Sequence, residues 1–177
     1  LLLLTTSCSR PQPQHASVPK ASPASANEQT ISGRVVRIAD GDTVTVLDAT
    51  NTQYRIRLQG IDAPESRQDF GAQSKKKLSS MIFGKDVTVV SDKTDQYGRL
   101  VGKILLEGRD INLEQVRSGM AWHYKEYERE QSLEDRDLYA RAENDARSAR
   151  RGLWVDPNPV ELSELRRSQK RRREDAR

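Results

Sequence analysis

Five short stretches rich in β-branched residues, interrupted once by a helical one, limit what this chain can become more than any other feature. Residues 31–38 (Ile-Ser-Gly-Arg-Val-Val-Arg-Ile), 43–48, 53–59, 86–91 and 99–106 each have the length and alternation of a strand. Asp40-Gly41-Asp42 and Asp95-Gln96-Tyr97-Gly98 supply turns between them. In the third stretch Tyr54, Ile56 and Leu58 alternate with Arg55, Arg57 and Gln59, so one face is buried and the other is basic. Leu78, Met81 and Ile82 recur at helical spacing and predict a helix over 69–83, with Gly84 as its stop. Asp110 is placed to cap a short helix that ends at Gly119. Ser132 with Asp135 resembles a capping box opening a helix that runs to about Arg151. The order β-β-β-α-β-β-α-α predicts a mainly β, α+β fold: a five-stranded OB-type Greek-key barrel with about three helices, the last packed outside.

Composition separates this core from its flanks. Apolar residues make up 34% of the 177 and charged residues 32%, with a mean hydropathy of −0.82. That average is too polar for uniform packing, so part of the chain lies outside the core. Residues 9–30 carry Pro11, Pro13, Pro19 and Pro23 among many Ser and Ala, the composition of a linker. Residues 156–177 hold Lys170-Arg171-Arg172-Arg173 and few apolar side chains, the composition of a solvated tail. The domain is therefore expected over 31–155. Leu1-Leu2-Leu3-Leu4 followed by small residues reads as the remnant, over 1–8, of a signal-peptide hydrophobic region. A small residue before Cys8 also resembles a lipoprotein cleavage site, with Cys8 as the lipid anchor; a plain secretory signal with a chance Cys is the alternative. Both predict an exported protein, secreted or held at a bacterial cell envelope. Cys8 is the single cysteine, which excludes a disulfide framework and a zinc ribbon. The net charge of +4 divides into +1 over 1–30, +1 over 31–155 and +2 over 156–177. A core so balanced binds polyanions only through where its charges sit.

Those positions converge. Asp42 precedes the second strand and Asp62 follows the third. Residues equidistant from an antiparallel turn face each other, so a turn centred near 50–52 predicts that Asp42 and Asp62 meet at one end of the barrel. Two carboxylates there repel unless a cation lies between them, and oxygen-only ligands favour Ca²⁺ or Mg²⁺. Asp40 and Asp48 are read as turn residues. Glu65 lies beyond Ala63-Pro64, a link stiffened by proline. There it is either a base beside a bound cation or an acid at the start of the following helix, and spacing alone does not choose. Arg57, on the polar face of the third strand, and Arg99, directly after a tight turn, offer planar forks matched to phosphate oxygens. Cation, carboxylate and two arginines describe a phosphoryl-transfer site. No nucleophilic Ser/His or Cys/His set competes: His15 falls in the linker and His123 lacks an acidic neighbour in sequence.

Asp40-Gly41-Asp42-Thr43, the run Arg57-Leu58-Gln59-Gly60-Ile61-Asp62-Ala63-Pro64-Glu65, and Thr94-Asp95-Gln96-Tyr97-Gly98-Arg99 together resemble the staphylococcal nuclease (thermonuclease) family. Residues 110–121 and the ending Arg151-Gly152-Leu153-Trp154 are similar to it as well, so the resemblance spans about 31–155. It implies a Ca²⁺-dependent phosphodiesterase that acts on DNA and RNA with little sequence preference and leaves 3′-phosphate ends. It implies Asp42, Asp62 and the Ala63 carbonyl as metal ligands, Glu65 as general base, and Arg57 and Arg99 as the phosphate-binding arginines. Tyr97, Tyr124 and Tyr127 fall where it implies nucleotide contacts, although Trp122 and His123 interrupt the local match and a partly buried aromatic is an equal reading for Tyr124 and Tyr127. Two departures stand out. The stretch from Glu65 to the first helix is shorter than in the best-known member, and Gln96 stands where that member has a lysine. The resemblance implies a DNA and RNA substrate; a monomer is expected, and no obligate protein partner is evident. A non-catalytic OB binding module is the competing reading; Asp42, Asp62, Glu65, Arg57 and Arg99 are all present here, which favours the enzyme. A barrel that scaffolds an envelope complex would need a partner patch that the sequence does not show.

Overall fold

The computed structural model describes residues 28–160. Residues 1–8 with Cys8, the linker as far as 27, and the tail beyond Val160 lie outside the described residues. The elements run β1 (Gln29–Asp40), β2 (Thr43–Asp48), β3 (Gln53–Leu58), β4 (Ile61–Asp62), α1 (Gly71–Ile82), β5 (Asp86–Thr94), β6 (Leu100–Leu106), β7 (Arg109–Asp110), α2 (Ile111–Arg117), β8 (Trp122–His123) and α3 (Leu133–Ser148). Short 3₁₀ segments cover Lys125–Glu130 and Gly152–Val155.

Five of these strands close on themselves. β1 pairs antiparallel with both β2 and β5, β2 pairs with β3, and β5 with β6. A parallel pairing of β3 with β6, Ile56 opposite Leu100, completes the ring. This is the five-stranded barrel expected from the element order, and closure removes the open edges that would invite aggregation. β1 begins two residues before its expected start. Gln29 pairs with Ser91 and Thr30 with Val90, so the barrel takes in the end of the expected linker.

The alternation in each strand sends one set of side chains inward. Val35, Val44, Val46, Ile56, Leu58, Val89 and Ile104 fill the interior, and Leu78 and Ile82 of α1 close one side. Asp110 and Ser132 cap α2 and α3 as expected: Asp110 accepts from the Leu113 N–H and Ser132 from the Asp135 N–H. Tyr139 and Ala142 of α3 reach the main core, and Ala146 packs with Trp122, Leu153 and Trp154 in a second cluster. Buried polar groups tie the layers together. Asn112 of α2 donates to the carbonyls of Gln59 and Gly102 and accepts from the Ile104 N–H, joining α2 to β6 and to the residue that follows β3.

Two irregularities in β1 matter for the site. Val36 and Ala39 are extra residues against β2, because Val35 opposes Val46 while Arg37 opposes Thr45, and Ile38 opposes Val44 while Asp40 opposes Thr43. Such bulges bend a strand and re-aim the side chains that follow. Here they deliver Asp40 beside Thr43 at the barrel's open end. The β2–β3 hairpin also differs from its expected register. Thr43 pairs with Arg57, so Asp42 faces Leu58, whose N–H donates to the Asp42 carbonyl at 2.8 Å. The turn centres at 50, where Asn51 adopts φ 64°, and not at 52.

Candidate active site

At the end of the barrel where β1 turns into β2, the backbone is clamped from two helices. The Gln115 side chain of α2 donates to the Gly41 carbonyl at 2.8 Å. A Cβ at Gly41 would lie 1.9 Å from the Ser74 hydroxyl of α1, so only glycine permits this approach. The clamp presents Asp40 and Asp42 on either side of the turn.

Arg57 occupies the middle of the carboxylates. One guanidinium nitrogen lies 3.0 Å from Asp42 Oδ2, and the other donates to Asp62 Oδ1 at 2.8 Å. The first also donates to the Ile61 carbonyl at 2.9 Å. The side chains of Arg57, Asp42 and Asp62 are 14%, 10% and 3% exposed, so this is a largely desolvated bridge. Asp42 further accepts from the Thr43 hydroxyl at 2.9 Å and from the Ala63 N–H at 3.0 Å. Asp42 and Asp62 thus converge as expected, but by another route. They are not partners across the hairpin. β4 carries Asp62 to the site by pairing with Trp122 of β8, and the arginine spans the two acids.

Arg99 approaches from the next turn. Its Nε donates to Asp95 Oδ2 at 2.7 Å, while Asp95 Oδ1 accepts from the N–H groups of Tyr97 and Arg99 itself. Those donors lower the Asp95 pKa although desolvation opposes them, so the carboxylate stays charged and fixes the guanidinium. Arg99 also approaches the Thr43 hydroxyl at 3.5 Å, which places its fork on the same groove as Arg57.

Glu65 lies on that groove too. Its backbone is pinned by Gln68: the Glu65 N–H donates to Gln68 Oε1 at 2.7 Å, and its carbonyl accepts from the Gln68 N–H at 2.8 Å. α1 begins only at Gly71, its cap is Phe70 in the left-handed region, and its first turn holds no acid. Glu65 is therefore not a helix-start acid, and that alternative falls.

Asp40 flanks the Gly41–Asp42 turn as expected, paired with Thr43, and its side chain carries one further feature. Its Oδ1 is buried without a hydrogen-bond partner, and burial together with the Asp42 charge raises its pKa to about 6. Asp48 is likewise the turn residue expected. Its Oδ1 accepts from the N–H groups of Thr50 and Thr52, each at 2.8 Å. No spacing rule identifies Asp40, because its position depends on the two bulges in β1.

The site offers oxygen donors only, which suits a hard cation. Among the described residues no three of His, Cys, Asp and Glu converge into a ready-made metal cluster. A cation here would draw on Asp42, Asp62 and the orphaned Asp40 oxygen, with backbone carbonyl and water completing the set. The donor chemistry fits a hard divalent cation.

The groove is open, about 1180 Å³, and extends from the carboxylates past Arg99 and Tyr97 to Lys93, Tyr127 and Glu130. Tyr97 is 68% exposed, and its ring centroid lies 5.5 Å from the Arg99 guanidinium carbon. Tyr124 is half-buried, with its hydroxyl donating to Glu126, and burial followed by that contact raises its pKa. Tyr127 is 47% exposed and lies 5.0 Å from Tyr124, ring to ring. All three tyrosines therefore line the groove. Sequence reasoning missed Lys93 and Glu130, which belong to different segments. His123 is structural: it is buried, its Nε2 lies 2.9 Å from Gln131 Oε1, and its N–H donates to Glu143.

Two arginine forks and several carboxylates on an open groove at the end of an OB-type barrel suit phosphoryl transfer, and the chain's relatives carry the names of nucleases. Residues 55–156 match the family of staphylococcal nuclease homologues. The chain is 42% identical over 137 residues to an "uncharacterized endonuclease" of Haemophilus influenzae, covering 77% of this chain and 74% of that protein. It is 43% identical over 131 residues to a protein of the same name from Escherichia coli O157:H7, covering 73% and 81%. It is 40% identical over 147 residues to a micrococcal nuclease of Shigella flexneri, covering 78% and 82%. The chain belongs to the staphylococcal nuclease family.

Proposed function

We propose that the protein is a Ca²⁺-dependent phosphodiesterase that cuts DNA and RNA with little sequence preference. The observation that carries this reading is Arg57 held between Asp42 and Asp62, with the Arg99 fork on the same open groove. Bound Ca²⁺ would supply positive charge for the phosphoryl oxygens and hold a water near them. Arg57 and Arg99 bind the non-bridging oxygens, and their forks meet the charge that grows as the phosphorus becomes five-coordinate. Glu65 accepts the proton of the attacking water. Attack forms the new P–O bond, the bond to the 5′-oxygen breaks, and that oxygen takes a proton from solvent, which leaves a 3′-phosphate. The groove addresses the charged backbone, the part of a nucleic acid common to every sequence.

Digestion of single-stranded DNA and RNA in Ca²⁺, and again after dialysis into chelator, tests this. The expected result is hydrolysis of both that stops on chelation and returns more fully with Ca²⁺ than with Mg²⁺. Full activity in chelator defeats the metal reading. We also propose export, with the barrel secreted or anchored at the envelope through Cys8. Its support is the leucine run and the small residue before Cys8. Fractionation of cells carrying the wild type and Cys8→Ala tests it, and cytosolic wild type would exclude it.

A further inference from the structure

The groove continues beyond the catalytic arginines to a second set of charged and aromatic groups. Lys93, on β5, is ion-paired with Glu130 at the end of the 3₁₀ segment. Its ammonium also lies 5.4 Å from the centre of the Tyr127 ring. Both members of the pair remain about a third exposed, at 36% and 37%, so solvent and ligand reach them. The segment carrying Tyr127 and Glu130 is attached to the end of the barrel by hydrogen bonds at both of its ends. The Tyr124 N–H donates to the Gly60 carbonyl at 2.9 Å, and the Gln59 side chain lies 3.4 Å from the Glu130 carbonyl.

We propose that Lys93, beside the Tyr127 whose nucleotide contact the family resemblance already implies, forms a second phosphate subsite, which takes the phosphate next to the scissile one. Glu130 is then the resident carboxylate that the incoming phosphate displaces from Lys93. The chemistry is consistent: an ammonium accepts one anion for another, and an exposed tyrosine offers a stacking face to any base. The inference rests on the proposed function, because it takes the groove as the path of a nucleic-acid strand. A plain clamp between β5 and the 3₁₀ segment is the competing account. The two differ in sign, since a clamp weakens in the same direction when either partner is lost.

The test compares a dinucleoside monophosphate, with one phosphodiester, against a single-stranded octanucleotide. Kinetics are measured in Ca²⁺ for the wild type, Lys93→Ala, Lys93→Arg, Tyr127→Ala and Glu130→Gln. On the octanucleotide, Lys93→Ala and Tyr127→Ala should raise KM, the latter about tenfold. Glu130→Gln should lower it, and Lys93→Arg should restore it. The Lys93→Ala penalty should be larger on the octanucleotide than on the shorter substrate. The slope of log affinity against log salt should flatten by about 0.7 on loss of Lys93. Shifts of KM in the same direction for Lys93→Ala and Glu130→Gln, or equal penalties at both lengths, overturn the subsite. Anisotropy of the labelled octanucleotide in chelator ranks the same variants without cleavage. A wild type that binds but does not cut therefore defeats the proposed function while the ranking still decides the subsite.

Discussion

Two clusters of the same chemical kind lie in this barrel, each a cation between two aspartates, and they differ in what is left over. In the first, on the seam between the barrel and α3, Lys103 lies 2.7 Å from Asp135 and 3.6 Å from Asp110. The Tyr139 hydroxyl completes Asp110 at 2.9 Å, while the other Asp110 oxygen caps α2. Burial followed by the Asp110 charge raises the Tyr139 pKa, so the phenol remains a donor. The second is Arg57 between Asp42 and Asp62, beside an Asp40 oxygen that has no partner. A closed network of this kind serves the fold, whereas a buried acceptor beside an open groove is available to a ligand.

That contrast breaks most severely at the arginines. Arg99→Lys and Glu65→Gln should each lower kcat about 10²–10³-fold, because each removes a group placed for the transition state. Their unfolding midpoints should stay near the wild-type value. Arg57→Lys should lose both rate and stability, since the Arg57 side chain is only 14% exposed and bridges two acids. Parallel kinetics and denaturant melts check all three, and near-native turnover in every variant would move the active site elsewhere.

The opposite result should come from the closed cluster. Tyr139→Phe removes one hydrogen bond to a carboxylate and should cost about 1.5–3 kcal/mol of stability with kcat unchanged. Equal rate loss there would erase the distinction between the clusters.

Asp40→Asn sharpens the comparison from the other side. It neutralises an acid beside Asp42, so the midpoint measured in chelator should hold or rise. The Ca²⁺ concentration giving half-maximal rate should increase about tenfold. An unchanged Ca²⁺ titration would leave Asp40 with a turn role alone.

The smallest effect belongs to Asp48. The N–H of Thr52 and the hydroxyl of Thr50 lower its pKa. A depressed carboxylate stabilises the fold above its unfolded value and loses that contribution as pH falls through its folded value. The stability gap between the wild type and Asp48→Asn should therefore be present at neutral pH and close below the ordinary carboxylate range. Urea melts at several pH values measure it, and a gap that widens in acid would contradict the turn assignment.

The strand positions were legible because alternation in Tyr54, Ile56 and Leu58 is a property of a pleated chain with one buried face. The helix ends were legible because Asp110 and Ser132 bond to N–H groups only three residues away. Arg57, Asp62, Glu65 and Arg99 could be singled out by chemistry and by the motifs around them. Their mutual arrangement could not. Asp42 reaches Asp62 through an arginine and through the pairing of β4 with β8, whose partners are about sixty residues apart. The Asp40 Oδ1 is enclosed at the end of β1, next to two bulges whose extra residues no alternation rule foresees. Lys93 meets Glu130 only once the 3₁₀ segment hydrogen-bonds to the end of β3. By itself, then, the sequence determined the elements, their caps and the types of group at the site, all of which depend on neighbours a few residues apart. The tertiary structure alone decided which acid is satisfied and which is left exposed to a ligand, because barrel closure sets the distance between side chains that no local rule connects.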